Sequence, residues 1–451
     1  MLRLAAPVLV EQILHLTVQF TDMILTGHFL PGDAYVAAIS LMAYAMWILG
    51  MMFGFIFYGA MALTARFTGK RDPGTTNHVM NQSIAAGLIW AGLLMLLGIP
   101  LADDFVRLMG LSGVAAEAGA RYLTIQLCVL PCIMIERVGI ACLRGAGDTV
   151  SGLLVMVVVN VVNILLSYSL VTGSWGMPDL GWGGLAYGTA TGHLVGGVIL
   201  VFLLARGRAG YRLSLRSMWP DWMMIHRILR IGIPGGIDGL LVCFCQLAFV
   251  RIITSLGETA FAAHGVALQI EALAYMPGGA FQIAAATLAG QYLGAGDPWR
   301  ATQSVLSACG AAIVFMMAAG VGFYIYAIPL VTMFLGDETR AAVPLAAAIL
   351  HVIAYAMLPL AIVNVLSGGL RGAGDTRWPM AITLLGMVVV RLPLAAYLAM
   401  EGFVVPGLGL AVQGLGLGVV GAWYAVVVDL IVRSILFSVR FFQGGWKQIE
   451  V

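Results

Sequence analysis

Charge is what this sequence has least of. Asp, Glu, Lys and Arg make up 10% of its 451 residues, against about 25% in an ordinary soluble domain. With 61% hydrophobic residues and a mean hydropathy of +0.98, the chain is built for lipid rather than water. The formal charge of +2 is too small for a nucleic-acid partner. Cysteine is also scarce: Cys128, Cys132, Cys142, Cys243, Cys245 and Cys309 fall singly in apolar spans, so neither a disulfide framework nor a metal cage suggests itself. The seven histidines are scattered, with no metal-ligand spacing and no nucleophile beside a base, which argues against an enzyme. Ten-residue alternating strands are missing, and with them the transmembrane β-barrel. No cleavable signal peptide is recognisable, because Arg3 leads directly into a span too long for one.

What is present is said twice. Leu143-Arg144-Gly145-Ala146-Gly147-Asp148-Thr149 returns as Leu370-Arg371-Gly372-Ala373-Gly374-Asp375-Thr376, a period of 227 residues (370 minus 143). Pro7 and Pro234 keep the same period, and Gly69-Lys70-Arg71-Asp72-Pro73 is answered by Gly294-Ala295-Gly296-Asp297-Pro298. Anchors spread along both halves mean a duplicated half-protein rather than one copied loop. A membrane interior of about 30 Å takes about 20 helical residues per crossing. Apolar runs of that length fall near 5–27, 35–62, 78–100, 117–142, 150–172 and 183–205, then 228–254, 260–290, 301–324, 341–368, 378–400 and 412–439. The expected fold is therefore all-α and polytopic: twelve transmembrane helices as two six-helix repeats around a central cleft. The expected divisions are an N-lobe 1–205, a cytoplasmic linker 206–227 and a C-lobe 228–451.

Basic residues in short loops set the orientation. With both termini cytoplasmic, the inner loops collect Arg66, Lys70, Arg71, Arg144, the Arg206–Arg230 cluster, Arg300, Arg371 and Arg377. The outer loops hold Arg107, Arg121 and Arg340 among the acids Asp33, Asp103, Asp104, Asp179, Glu258, Asp337, Glu338 and Glu401. The linker's Trp219 and Trp222 read as interfacial anchors. The repeated motif reads as a tight helix connection: Arg144 ends a helix, the glycines allow the reversal, and Asp148 or Thr149 caps the next helix. Its Gly-Ala-Gly is no phosphate loop, since no Lys-Ser/Thr follows and no strand precedes.

Polar residues inside the spans are the functional candidates. Glu11, His15, Gln19 and Asp22 fall on one stripe of the first helix, within an arc of about 80°. A charge at mid-membrane costs about 2.5–3.5 kcal/mol, so such a stripe faces a wet cavity or partners. Asn160, Asn163 and Ser167 follow one another by about a turn in the fifth span, as ligands for a hard cation or as interhelical glue. In the second half Asp238 answers Glu11 and Gln246 answers Gln19, while Phe249 stands where Asp22 would be. His264, Glu271, Tyr275 and Gln282 share a stripe of the eighth span, with Pro277-Gly278-Gly279 as an expected break. Glu136 with Arg137, and Asp429 with Arg433, read as local ion pairs, the latter on a helix surface.

Two six-helix halves, the Leu-Arg-Gly-Ala-Gly-Asp-Thr motif closing the fourth span of each, and Ile270-Glu271-Ala272-Leu273 through Met276-Pro277-Gly278-Gly279 to Gly290-Gln291-Tyr292-Leu293-Gly294-Ala295-Gly296 resemble the multidrug and toxic compound extrusion (MATE) family along essentially the whole chain. That resemblance implies an inner-membrane secondary antiporter that expels amphipathic, cationic organic compounds by alternating access against protons or sodium, with protons preferred here and no cofactor. It implies ion or proton coupling at Asp22, Glu271 and Asn163, to which the fifth-span amides add Asn160, with a sodium ion, if used, near Asp22 and Asn163. A substrate cleft would draw on Glu11, Gln19, Asp238, Gln246, Tyr275, Gln282 and His264. Several members carry a second carboxylate where this chain has Ser167, and Val242 and Leu360 stand near the places of other acids of the sodium-using branch. The partners expected are small organic cations and the lipid bilayer, with the chain working as a monomer. The alternative is a lipid-linked saccharide flippase of the same superfamily, which would want several arginines around a pyrophosphate.

Overall fold

The computed structural model describes residues 1–30, 33–333, 342–404 and 411–449. Asp337, Glu338 and Arg340, counted above towards the orientation, lie outside the described residues. The chain divides into two compact units, Leu2–Gly236 and Ile237 onward. The first holds α1 (Leu2–Phe29), α2 (Asp33–Met52), α3 (Gly54–Gly69), α4 (Pro73–Leu108), α5 (Gly113–Cys128), α6 (Leu130–Ala146), α7 (Val150–Thr172) and α8 (Trp182–Ala205). The division falls within α9 (Trp222–Thr254). The second unit continues with α10 (Glu258–Gly294), α11 (Pro298–Ile325), α12 (Ala327–Thr332), α13 (Val343–Gly372), α14 (Arg377–Leu384), α15 (Leu392–Ala399) and α16 (Gly418–Gln443). It is an all-α polytopic membrane protein. Ten of the described helices are long and apolar enough to cross a membrane, eleven counting α5 and α6 as one span bent by 55°. The remaining expected span, 260–290, is α10, which at 37 residues is longer than a bilayer requires but is diluted by its polar stripe.

Several expectations change in detail. The fourth span breaks at Val129 because Pro131, in the first turn of α6, has no amide to continue the helix before it. The eleventh span carries a π-helical stretch, Leu385–Arg391, between α14 and α15. The twelfth begins at Gly418 rather than 412, because β2 (Ala411–Gln413) pairs antiparallel with β1 (Gly402–Val404). α10 runs unbroken through Pro277-Gly278-Gly279. Gly278 serves packing there, since a Cβ would lie 2.9 Å from both Asn364 Nδ2 and Met316 Sδ.

The repeats show why their motifs recur. Asp72 Oδ1 accepts from Thr75 N at 3.0 Å to open α4, and Asp297 Oδ1 accepts from Arg300 N at 2.9 Å to open α11, each followed by proline at the first helical position. Gly145 brings α6 against α3, where a Cβ would sit 2.7 Å from Met61 O, and Gly372 brings α13 against α10, where it would sit 2.0 Å from Ala286 O. Gly147 and Gly374 both stand at φ +92, the left-handed reversal that glycine permits. Asp148, not Thr149, bonds the first turn of α7, accepting from Ser151 N at 3.0 Å.

The segment drawn as a linker is fastened to the start of α4. Asn77 Oδ1 accepts from Arg212 N at 2.7 Å, and Asn81 Oδ1 from Ser214 N at 2.9 Å. Gln82 Nε2 donates to Ser217 O and Trp219 O, both at 2.8 Å, and His78 Nε2 lies 2.8 Å from Asp221 Oδ2. Trp219 and Trp222 remain exposed, as interfacial anchors would be.

Candidate functional site

The polar stripe of α1 divides between two jobs. His15, Gln19 and Asp22 line a cavity of about 100 Å³ inside the first unit, with Tyr122 and Gln126 of α5, Arg137 of α6, and Thr189 and His193 of α8. Leu49, Gly50 and Phe53 complete its apolar wall. The Asp22 carboxylate, 3% exposed, accepts from the Tyr122 hydroxyl at 2.7 Å and from the Thr189 hydroxyl at 3.0 and 3.1 Å. Behind Thr189 stands Asn163, whose Nδ2 donates to Thr189 Oγ1 at 2.8 Å and to Ser167 Oγ at 3.3 Å. Close approach of α8 to α7 makes this chain possible: a Cβ on Gly188 would lie 2.2 Å from Ser167 Oγ, and one on Gly192 would lie 3.0 Å from Val159 O. Asn160 sits one turn away and donates instead to Met156 O at 2.8 Å, within its own helix.

Glu11, the fourth member of the stripe, leaves the cavity for an ion pair: its Oε2 lies 2.8 Å from Arg144 Nη2. Asp238 does the same with Arg371 in the second unit. The two arginines of the repeated motif are therefore not solvated loop cations; Arg144 is 7% exposed, because the helix end that bears it is drawn in by Gly145. Each motif also offers its aspartate to an arginine at the end of the sixth span of its half, Arg208 just past α8 and Arg440 in the last turn of α16. Arg208 Nε donates to Asp148 Oδ2 at 2.8 Å, and Arg440 Nε and Nη2 donate to Asp375 Oδ2 at 2.9 and 2.7 Å.

The stripe of α10 is not one site. His264, 1% exposed, packs between the rings of Phe249 and Trp423 at 5.9 and 5.5 Å, where neither ring nitrogen finds a partner. Glu271, half-buried, interacts electrostatically with Arg391. Tyr275 is exposed, and Gln282 donates to Ser367 Oγ at 3.1 Å. Gln246 is half-buried on α9. Asp429 and Arg433 are not a surface pair. Asp429, fully buried, accepts from Arg433 Nε at 2.8 Å and from Arg391 Nη2 at 2.7 Å, because Gly386 in the π-helical stretch lets that segment close on α16. Glu136 likewise pairs not with its neighbour Arg137 but with His193, Oε2 to Nδ1 at 2.9 Å.

Sequence reasoning missed Tyr122 and Thr189, hydroxyl residues that stand among others in their helices (Thr124 in α5, Tyr187 and Thr191 in α8) with no period to single them out. Tyr122 has one sequence signal, its place on a face shared with Gln126 one turn on. Among the described residues no group of three or more His, Cys, Asp or Glu is arranged to hold a metal ion.

Comparison with known proteins agrees with this architecture. Residues 7–169 and 234–397 match the MatE family profile. The chain is similar to the probable multidrug resistance protein NorM of Thermotoga maritima, 27% identical over 100% of this chain and 93% of that one. It is also similar to the probable multidrug resistance protein NorM of Photorhabdus laumondii, 26% identical over 96% of this chain and 92% of the relative. Its fold is similar to a solved structure described as the outward-facing conformation of a multidrug resistance MATE family transporter of the MOP superfamily, with a TM-score of 0.89, 20% identity, and coverage of 100% of this chain and 96% of that one.

Proposed function

Because the chain belongs to the MatE family, we propose that it is a multidrug efflux transporter of the inner membrane, a secondary antiporter that exports amphipathic organic cations in exchange for protons. Both termini face the cytoplasm in this reading, and the basic linker anchors that face. The observation that carries it is the Asp22 carboxylate, which lines a cavity of the first unit while bonded to neutral hydroxyls rather than to a cation. A carboxylate so placed can bind a proton or answer a cationic ligand. It cannot do both at full strength, so the two bindings are linked through one charge. Exposing the cavity alternately to each side of the membrane turns that linkage into exchange.

Protons are favoured over sodium by the shortage of anionic ligands around the acid. Tyr122 and Thr189 aim hydroxyl hydrogens at Asp22, and Ser167 stands where a second carboxylate would add charge for a metal. One observation favours sodium: the buried Oδ1 of Asn163 has no hydrogen-bond partner and is a competent cation ligand. The flippase reading gains little, since Arg391 and Arg433 are both spent on Asp429.

The test is efflux of a fluorescent organic cation from proteoliposomes under a pH gradient alone and then a sodium gradient alone. Efflux driven by the pH gradient and lost in Asp22→Asn is the expected result. Normal pH-driven efflux in that variant removes Asp22 from the mechanism, and efflux that answers neither gradient removes antiport.

A further inference from the structure

We infer that His193 and Glu136 form a proton relay on the cytoplasmic side of Asp22, an inference that rests on the proton-antiport reading. The cavity that Asp22 lines also has His193 in its wall, with His15 and Arg137. Along α8, Thr189 bonds Asp22 and His193 follows one turn later, so the histidine continues the same face. Its Nδ1 lies 2.9 Å from Glu136 Oε2, and the two side chains are 14% and 3% exposed. Glu136 precedes Arg144 by two turns of α6, and Arg144 marks the cytoplasmic end of that helix through the positive-inside pattern. The order from the outer half of the membrane inwards is thus Asp22, His193, Glu136, Arg144.

The pair occupies a space made for it. A Cβ on Gly196, three residues beyond His193 on α8, would stand 2.0 Å from Glu136 Oε1. Only glycine leaves room for the carboxylate there. The relay is also peculiar to one half of the repeat. At the period of 227, Asp22 falls on Phe249 and Glu136 falls on Val363, so the second unit keeps neither acid. Losing both while keeping the Glu11 and Asp238 ion pairs sets this group apart from the scaffold.

The transfer balances without any redox partner. A proton leaves the Asp22 carboxyl, crosses a polar cavity large enough to hold water, and forms an N–H bond at His193 Nε2. The Nδ1–H bond breaks towards Glu136 Oε2, and Glu136, buried in this conformation, gives up its proton to water when the unit opens to the cytoplasm. The charged and titratable groups facing His193 are Glu136 and Arg137 from α6, His15 and Asp22 from α1, and Tyr122 from α5. His193 is a positioning and proton-carrying residue; nothing in the proposal needs it to touch the exported compound.

The experiment uses the full-length protein in proteoliposomes with ethidium as the exported cation. Under an imposed pH gradient, His193→Gln and Glu136→Gln should each slow efflux about tenfold or more, within the range of proton-transfer effects, and flatten its pH profile. Gly196→Ala, which removes no titratable group but displaces the carboxylate, should slow it too. Equilibrium ethidium binding should stay within about twofold of wild type in all three, which reports an intact fold. In His193→Ala, added imidazole should restore efflux, a response that a merely structural histidine would not give. Wild-type rates in His193→Gln, or no rescue by imidazole, overturn the relay alone. Wild-type efflux that follows sodium and ignores the pH gradient overturns proton antiport, and the relay with it.

Discussion

The two units share a scaffold and differ in their chemistry. In the first, Glu11 holds Arg144 and Arg208 holds Asp148; in the second, Asp238 holds Arg371 and Arg440 holds Asp375. The repeat has kept these clasps on the motif that closes the fourth span of each half. At mid-helix the two part company. Asp22, with its hydroxyl partners, becomes Phe249 packed on His264 and Trp423, and the buried charge of the second unit moves to Asp429 with Arg391 and Arg433. Residues that close the helices are therefore separable from residues that give one unit its acid.

The largest effect should come from breaking that difference. Asp22→Asn should reduce pH-driven efflux at least about 100-fold, and adding Phe249→Asp to it should restore nothing, because that position packs on the rings of His264 and Trp423 rather than on hydroxyls such as Tyr122 and Thr189 supply. Efflux assays on the single and double variants check both. Next come the clasps. Arg144→Ala leaves Glu11 buried and uncompensated, and Arg371→Ala does the same to Asp238, so each should cost about 3–5 kcal/mol, read as lowered thermal stability in detergent. A loss in one unit only would mean that the clasps are not equivalent.

A smaller effect tests the matched turns before α4 and α11. Arg71 stands at φ +57 where the second unit has Gly296 at φ +77. Arg71→Gly should stabilise by about 1 kcal/mol and Gly296→Ala destabilise by a similar amount, both visible as shifts in melting temperature. The smallest concerns pH. Burial pushes the Asp148 carboxyl up, but the Ser151 hydroxyl and amide and the Arg208 guanidinium outweigh it and hold the group below the ordinary carboxylate range. Its folded value being depressed, the stability it contributes is complete above the unfolded value of about 3.9 and is lost as pH falls through the folded one. Asp148→Asn should remove that contribution, less than about 1 kcal/mol for so exposed a pair, and flatten the acid limb of the melting curve.

Much of this was legible in the residues. The crossings, the duplication and the α1 stripe follow from hydropathy and period, which are properties of one helix at a time. The stripe of α1 correctly took His15, Gln19 and Asp22 to one face, but it could not tell that Glu11 would turn to Arg144. Asp429 and Arg433, four residues apart, looked like a surface pair until Arg391 closed on them from the eleventh span. Tyr122 and Thr189 were invisible for the same reason: one hydroxyl among several acquires its meaning from the helix across from it.

By itself the sequence determined that the chain lies in a membrane, that it crosses as helices in two matched halves, and that Asp22 must find either water or a partner, because lipid tolerates neither an open backbone nor a bare charge. Only tertiary structure decided which partner each buried charge received. Ion pairs and hydrogen bonds form over about 3 Å, and that distance is set by how closely α8 can approach α7 and α6, at glycines whose role no single helix reveals.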